Sequence, residues 1–280
     1  MAVWIGIILA FVAMISWGLS DLVTKLSLDR ESKWKVLFLG QLIGGLLVFG
    51  VALFFADLSV LASKGISYLF ILGFINLAAM YTYYKSMQEK GIALTSPIVN
   101  SWALVTIILG LVFYKEMLGS LQWLAVVFIM GGVFAVMFKG KAKFDGSLIY
   151  AVISMVLWGV FFFLLKEPNL IFGALLVASL VKLITVFFSI PILVRKKVNI
   201  FKTESRILFF IILIAITDGV GFSVFNFALK YAPVSIASLI ISAVPIIGVG
   251  FGVMIFKEKL SFRQKIAIVT VIIGLILVSI

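Results

Sequence analysis

Residues 234–260 read VSIASLIISAVPIIGVGFGVMIFKEKL: a long apolar run with one proline, Pro245, near its middle and an abrupt polar end at Lys257-Glu258-Lys259. Residues 92–118, which lie 142 positions earlier, read IALTSPIVNSWALVTIILGLVFYKEML. In that register Ser96 faces Ser238, Asn100 faces Ser242, Gly110 faces Gly252, and Lys115-Glu116 faces Lys257-Glu258. The match continues without a gap through Gln122 and Gln264, Ala125 and Ala267, and Gly132 and Gly274. Several matches at one offset, half the chain in length, predict an internal duplication.

The 280 residues are 64% hydrophobic and 12% charged, with a mean hydropathy of +1.30. A soluble domain would carry about a quarter charged residues, so this much apolar surface calls for lipid as its solvent. The chain reads as a polytopic membrane protein. It has no cysteine and no histidine, which removes disulfides, thiolate and imidazole metal sites, Ser-His and Cys-His catalysis, and a histidine pH switch. The net charge of +12 sits in short runs between apolar segments. There it meets anionic lipid headgroups rather than nucleic acid. Residues 1–25 lack a basic start and a small-residue cleavage site, and read as a first span rather than a signal peptide.

Ten segments approach the roughly twenty residues that a span needs: 3–26, 35–56, 66–87, 93–114, 119–138, 146–165, 170–193, 206–229, 234–256 and 262–280. Their runs are too continuous for barrel strands, and backbone in hydrocarbon must satisfy itself, so they are helices. Five helices is an odd number, so the second copy inserts upside down. The expected fold is an all-α membrane protein of ten helices in two inverted five-helix repeats, residues 1–140 and 141–280, with a binding site between them near the midplane. Ser16-Trp17-Gly18 resembles Leu157-Trp158-Gly159 at an offset of 141. Lysine and arginine gather in the loops after the odd-numbered segments, from Lys25 and Arg30 through Arg195 and Lys197 to Arg263. The other side holds only Lys64, Lys115, Lys166 and Lys230. The positive-inside rule puts both termini outside the cytoplasm.

Ionisable groups deep in a bilayer are costly, which marks them as functional suspects. Lys182 lies in the seventh segment and Asp218 in the eighth; Asp218 aligns at the 142 offset with Asn76. Eight residues on, Asn226 aligns with Tyr84. Lys182 also belongs to a stripe, Ser179, Lys182, Thr185 and Ser189, spaced for one helix face. Two readings follow. The charges line a central cavity, where Lys182 holds an anionic group and Asp218 an amine or a coupling proton, or they form a structural ion pair. Asp21 and Lys25 stand at i, i+4 and read as a structural contact, with Trp17 one turn before on the same face. Trp102 and Trp158 sit away from the interfacial belt and are candidate aromatic walls. Tyr81, Tyr83 and Tyr84 each need a polar partner, and Tyr83 is taken as the cavity candidate. Ser96, Asn100, Ser238 and Ser242 offer hydrogen bonds to substrate or to neighbouring helices. Pro97 and Pro245 are candidate hinges. Glu116 and Glu258 read as turn and cap residues.

With these residues in hand, the chain resembles the drug/metabolite transporter superfamily, specifically its EamA-type ten-helix members. Ser238, Pro245, Glu258 and Leu260 fit that family's pattern in the second repeat. Glu116 and Leu118 fit it in the first, where Ala103 stands at the place of Pro245. The Trp-Gly pairs at 17–18 and 158–159 fit as well. The resemblance covers the whole chain and implies metabolite transport, often export of amino acids or related compounds, by alternating access. Family members are commonly drawn with both termini cytoplasmic, against the charge bias. The reading is a secondary transporter, a probable exporter, of a small polar metabolite in the cell membrane, and not an enzyme. An organic-cation, drug or choline-like transporter is the alternative. Its expected partners are substrate, lipid and a coupling proton, as monomer or homodimer, with no cofactor and no metal.

Overall fold

The computed structural model describes residues 2–62, 65–137, 148–248 and 262–278. Gly252, the Lys257–Leu260 stretch with Glu258, and the loop lysines Lys64, Lys139, Lys141 and Lys143 lie outside the described residues.

The helices are α1 (Ala2–Leu28), α2 (Lys33–Phe55), α3 (Ile66–Lys90), α4 (Ile92–Asn100), α5 (Trp102–Phe113), α6 (Ser120–Met137), α7 (Ile149–Leu164), α8 (Lys166–Phe172), α9 (Ala174–Arg195), α10 (Ser205–Ala228), α11 (Val234–Ile241) and α12 (Phe262–Val278). They make the ten expected spans: α4 with α5 form the fourth, and α11 with residues 244–248 form the described part of the ninth. Seven stretches are long and apolar enough to cross a bilayer, and three shorter apolar helices complete the set. Their outer faces carry Phe54, Phe55, Val112 and Phe113 exposed to the surroundings. A soluble protein rarely shows such faces, and in lipid they are solvated. One boundary differs from the sequence reading. The sixth span runs on into α8, and the seventh begins only at Ala174, because Gly173 (φ +75°) turns the chain there. Left-handed φ is a conformation that glycine adopts without steric cost.

The packing obeys a two-fold exchange. Helix α1 lies on α10 as α3 lies on α7; α2 meets α10 as α3 meets α9; α5 meets α7 as α1 meets α11. Three further contacts, α2 on α9, α5 on α11 and α6 on α12, map onto themselves. Small residues make these approaches possible. A Cβ at Gly132 would stand 2.8 Å from the Ala267 carbonyl, and one at Gly274 would stand 3.0 Å from the Ile129 amide. Those are the two halves of one symmetric contact between α6 and α12.

The symmetry extends to a defect. Ser101 N–H bonds the Ile98 carbonyl at 3.2 Å, and Leu104 N–H bonds the Ser101 carbonyl at 3.0 Å. In the second repeat Ala243 bonds Ile240 at 3.2 Å, and Ile246 bonds Ala243 at 3.0 Å. All four are the i→i−3 bonds of a tightened turn, and they interrupt both spans at equivalent residues. Pro245, two residues after the second break, lacks the N–H that would bond Ile241; at the first break the Ser101 hydroxyl takes the Pro97 carbonyl at 2.8 Å.

Candidate functional site

A small cavity of about 80 Å³ lies at the centre of the molecule, lined by helices of both repeats. Of the residues singled out from sequence, Trp17, Asp21, Asn76, Tyr83, Asn100, Trp102, Trp158, Lys182 and Asp218 line it. The two-fold relation is visible in its walls. Trp17 Nε1 donates to Asp218 Oδ1 at 2.9 Å, and Trp158 Nε1 donates to Asn76 Oδ1 at 3.4 Å. Each repeat thus reaches across with the tryptophan of its first helix to the polar residue on the third helix of the other. Gly221 makes room for the first of these, since a Cβ there would stand 2.9 Å from Trp17 Cδ1.

Lys182 and Asp218 form an ion pair through Asp218 Oδ2, and Gln41 Nε2 donates to the same oxygen at 3.1 Å. The Lys182 side chain is 2% exposed. Asp218 therefore accepts from an indole, an amide and an ammonium, which offsets the cost of holding a carboxylate away from water. On the mirrored side Asn76 Nδ2 donates to Thr185 Oγ1 at 3.0 Å, and Thr185 bonds the Gly73 carbonyl at 3.1 Å. The Ser179–Ser189 stripe is buried against the bundle as its spacing predicts.

Toward the face that carries the loops after α1 and α3, called here the basic face, the cavity is polar. Asp21, Thr24, Tyr83, Tyr84 and Asn100 line it. Ser96 Oγ donates to Asp21 Oδ2 at 3.1 Å, and Asn100 Nδ2 donates to Ser96 Oγ at 3.0 Å. Lys25 pairs with Asp29 and not with Asp21 as expected from their spacing; Asp21 is turned to the cavity instead.

Toward the opposite face the space is filled by rings. Trp102 stacks on Phe162 at 4.0 Å between centroids, Phe162 meets Phe225 at 5.1 Å, and Trp17 meets both at 5.5 and 5.7 Å. Phe161 packs on Phe162 and on Phe222 at 5.1 and 5.8 Å. Each such pair adds about 0.5–1.5 kcal/mol to its burial. Beyond the rings, in the turn after α5, Glu116 reaches the other repeat. It accepts from the backbone of Val234 and Ser235 at 3.2 and 3.1 Å, from Ser235 Oγ at 2.6 Å and from Lys166 Nζ at 3.1 Å. It thereby caps the N-terminus of α11, where orphan amides and the helix dipole favour an anion. Burial works to raise its pKa, but the Ser235 hydrogen bonds and Lys166 outweigh it and hold the carboxyl below its usual range.

Three sequence candidates are placed elsewhere. Asn226 donates to the Phe222 carbonyl at 2.7 Å and accepts from Asn169 at 2.6 Å. Ser242 donates back into its own helix at 2.6 Å. Ser238 is buried with no hydrogen-bond partner among the described residues. Tyr81 stacks on Trp34 at 4.8 Å and leaves the cavity to Tyr83 and Tyr84. Sequence reasoning passed over Gln41, Thr24, Phe161, Phe162 and Phe222. Gln41 carried a usable signal: it is a lone amide in the apolar run 36–55, and it aligns with Lys182 at the offset of 141 that pairs the tryptophans. The phenylalanines gave none, being like any other apolar residue in a span.

A solved crystal structure superposes on 97% of the chain, and on 95% of its own, with a TM-score of 0.83 at 16% identity; this is a likeness of fold. The uncharacterised protein MJ1333.1 of Methanocaldococcus jannaschii is 32% identical over 139 residues, which are 49% of this chain and 98% of that one. About half of this chain thus matches nearly the whole of that one. The sequence model of the EamA-like transporter family matches twice, over residues 4–138 and 146–280. Two matches that between them span the chain, on ten helices paired across a central polar cavity, agree on one assignment: the protein is a multi-pass membrane transporter of the EamA-like family.

Proposed function

We propose that the protein is a secondary transporter that carries a small polar metabolite through the central cavity by alternating access, with residues 1–140 and 141–280 rocking against each other. The observation that supports this is the cavity's one-sidedness. It is polar toward the basic face, and a packed aromatic cluster fills it toward the other. A carrier needs such a site at a repeat interface. The two interrupted spans supply bending points, with Pro97 and Pro245 beside them. Trp17, Tyr83, Asn100, Trp102 and Trp158 are the proposed substrate contacts, and Asn76 with the Lys182–Asp218 pair forms the floor. Asn226, Ser238 and Ser242 act in helix packing.

The basic face is proposed to be cytoplasmic and the membrane to be the cell membrane, so this conformation loads from the cytoplasm and serves export. A protease-protected tag at residue 280 of inside-out vesicles supports that orientation; a tag digested there reverses it. Saturable counterflow of a small polar solute in proteoliposomes supports a carrier. Strictly linear, non-saturating flux would sink it. A second reading, an organic-cation carrier, is favoured by Asp21, which no lysine or arginine pairs among the described residues.

A further inference from the structure

The hydrogen-bond inventory of the cavity is lopsided. Most of the side-chain N–H donors on its wall are committed within the protein. Trp17 Nε1, Gln41 Nε2 and Lys182 Nζ all end on Asp218. Trp158 Nε1 ends on Asn76, whose own amide ends on Thr185. Asn100 Nδ2 ends on Ser96. Acceptors, by contrast, are left over. Asp21 accepts from Ser96, with the Tyr83 hydroxyl beside it, and has no cationic partner among the described residues. Gln41 Oε1 is buried with no donor at all; its orientation is fixed, because the other end of the amide must donate to a carboxylate. The Tyr83 hydroxyl, also buried, lies beside Asp21 and Ser96.

Buried polar groups in native proteins are nearly always paired, and an unpaired one in a cavity is matched by a ligand or by water. A wall that offers a carboxylate, a carbonyl oxygen and ring faces, with most of its N–H donors spent, is complementary to a cation that brings N–H groups. It is not complementary to a carboxylate or phosphate. The lysine that the sequence suggested for an anion is already neutralised by Asp218.

We propose that the central cavity binds its substrate through a primary or secondary ammonium group at Asp21. Gln41 Oε1 and Tyr83 take up the remaining N–H bonds, and the indole of Trp158 or Trp17 walls the charge. This rests on the transporter reading for its meaning, but it is a statement about binding and is tested as such. The probes are four molecules on one phenethyl frame: phenethylamine, its N,N,N-trimethyl analogue, phenylalanine and 3-phenylpropionate. Binding is measured on the purified protein in detergent by calorimetry.

The expected order puts phenethylamine first. The trimethyl analogue, which keeps the charge but has no N–H, binds more weakly by roughly ten- to a hundredfold, the worth of hydrogen bonds to a charged group. Phenylpropionate does not bind. Asp21→Asn loses phenethylamine binding, Asp21→Glu restores part of it, and Ser238→Ala leaves it unchanged. Equal affinity for the amine and its trimethyl analogue overturns the proposal, as does tighter binding of phenylpropionate, full retention by Asp21→Asn, or no binding by any of the four. The wild-type series decides this even if the variants do not fold. Counterflow separates the two readings: an amine that binds at Asp21 but is not moved across the bilayer sinks the transporter reading and leaves the site standing.

Discussion

The two ends of the cavity are built from equivalent positions and do opposite things. Asp21, Thr24 and Tyr83 face the basic end; their counterparts in the second repeat are Phe162, Leu165 and Phe225. Ser96 donates to Asp21 in one repeat. In the other its equivalent, Ser238, faces a position where a phenyl ring has replaced the carboxylate, and its hydroxyl is left without a partner. Backbone symmetry is kept while side chains diverge. The difference teaches that the duplicated helices provide a mirrored frame, and that a handful of exchanges decides which end is wet.

The largest effect is expected at the centre the two ends share. Asp218→Leu leaves the buried Lys182 without a counter-charge, at a cost of about 3–5 kcal/mol. The double variant Lys182→Met, Asp218→Leu recovers most of it. Thermal unfolding in detergent measures both, and a single variant as stable as the parent shows that the pair does not hold the centre. Next comes Phe162→Ala, which empties the ring cluster at a cost of about 3 kcal/mol. The chain has no cysteine, so a single Phe222→Cys can report on access. Membrane-impermeant maleimide added from the face opposite the basic one labels it faster once Phe162 is shortened. Unchanged labelling would falsify the idea that the rings close that end.

Glu116→Gln keeps the shape of the cap and removes its charge, for a loss of about 1–2 kcal/mol. The carboxyl is depressed in the folded state, so its contribution is complete above the ordinary glutamate range near pH 4.3 and fades as pH falls through the depressed value. A Tm difference between parent and variant that persists at pH 7 and vanishes in strong acid is the expected profile. The smallest loss belongs to Ser238→Ala, which removes a buried hydroxyl that has no partner, so stability holds or rises. Ser96→Ala, by contrast, frees one lone pair of Asp21 and weakens transport. Equal transport by the two alanine variants erases the comparison.

The frame was legible because symmetry is a long-range signal. The offset of 142 that aligns Ser96 with Ser238 also aligns Asn76 with Asp218 and Gly132 with Gly274, and all of these fall in structurally equivalent places. The span count followed from hydropathy alone. The site was less legible, for two reasons. Helical spacing says which residues share a face but not which neighbour they choose; Lys25 has carboxylates at both i−4 and i+4, and it takes Asp29. Phenylalanine in a span carries no mark that separates a ring facing lipid, such as Phe54, from a ring plugging a pathway, such as Phe162.

A carboxylate set against a phenyl ring at matching positions also bears on how such a protein can be encoded. Two copies of one five-helix chain would carry the same residue at both places, either two carboxylates or two rings, and neither end could be told from the other. A gene that holds both repeats lets position 21 and position 162 mutate apart. Joining the halves therefore does more than fix their stoichiometry: it gives each half its own inheritance, and with it a molecule that has a front and a back.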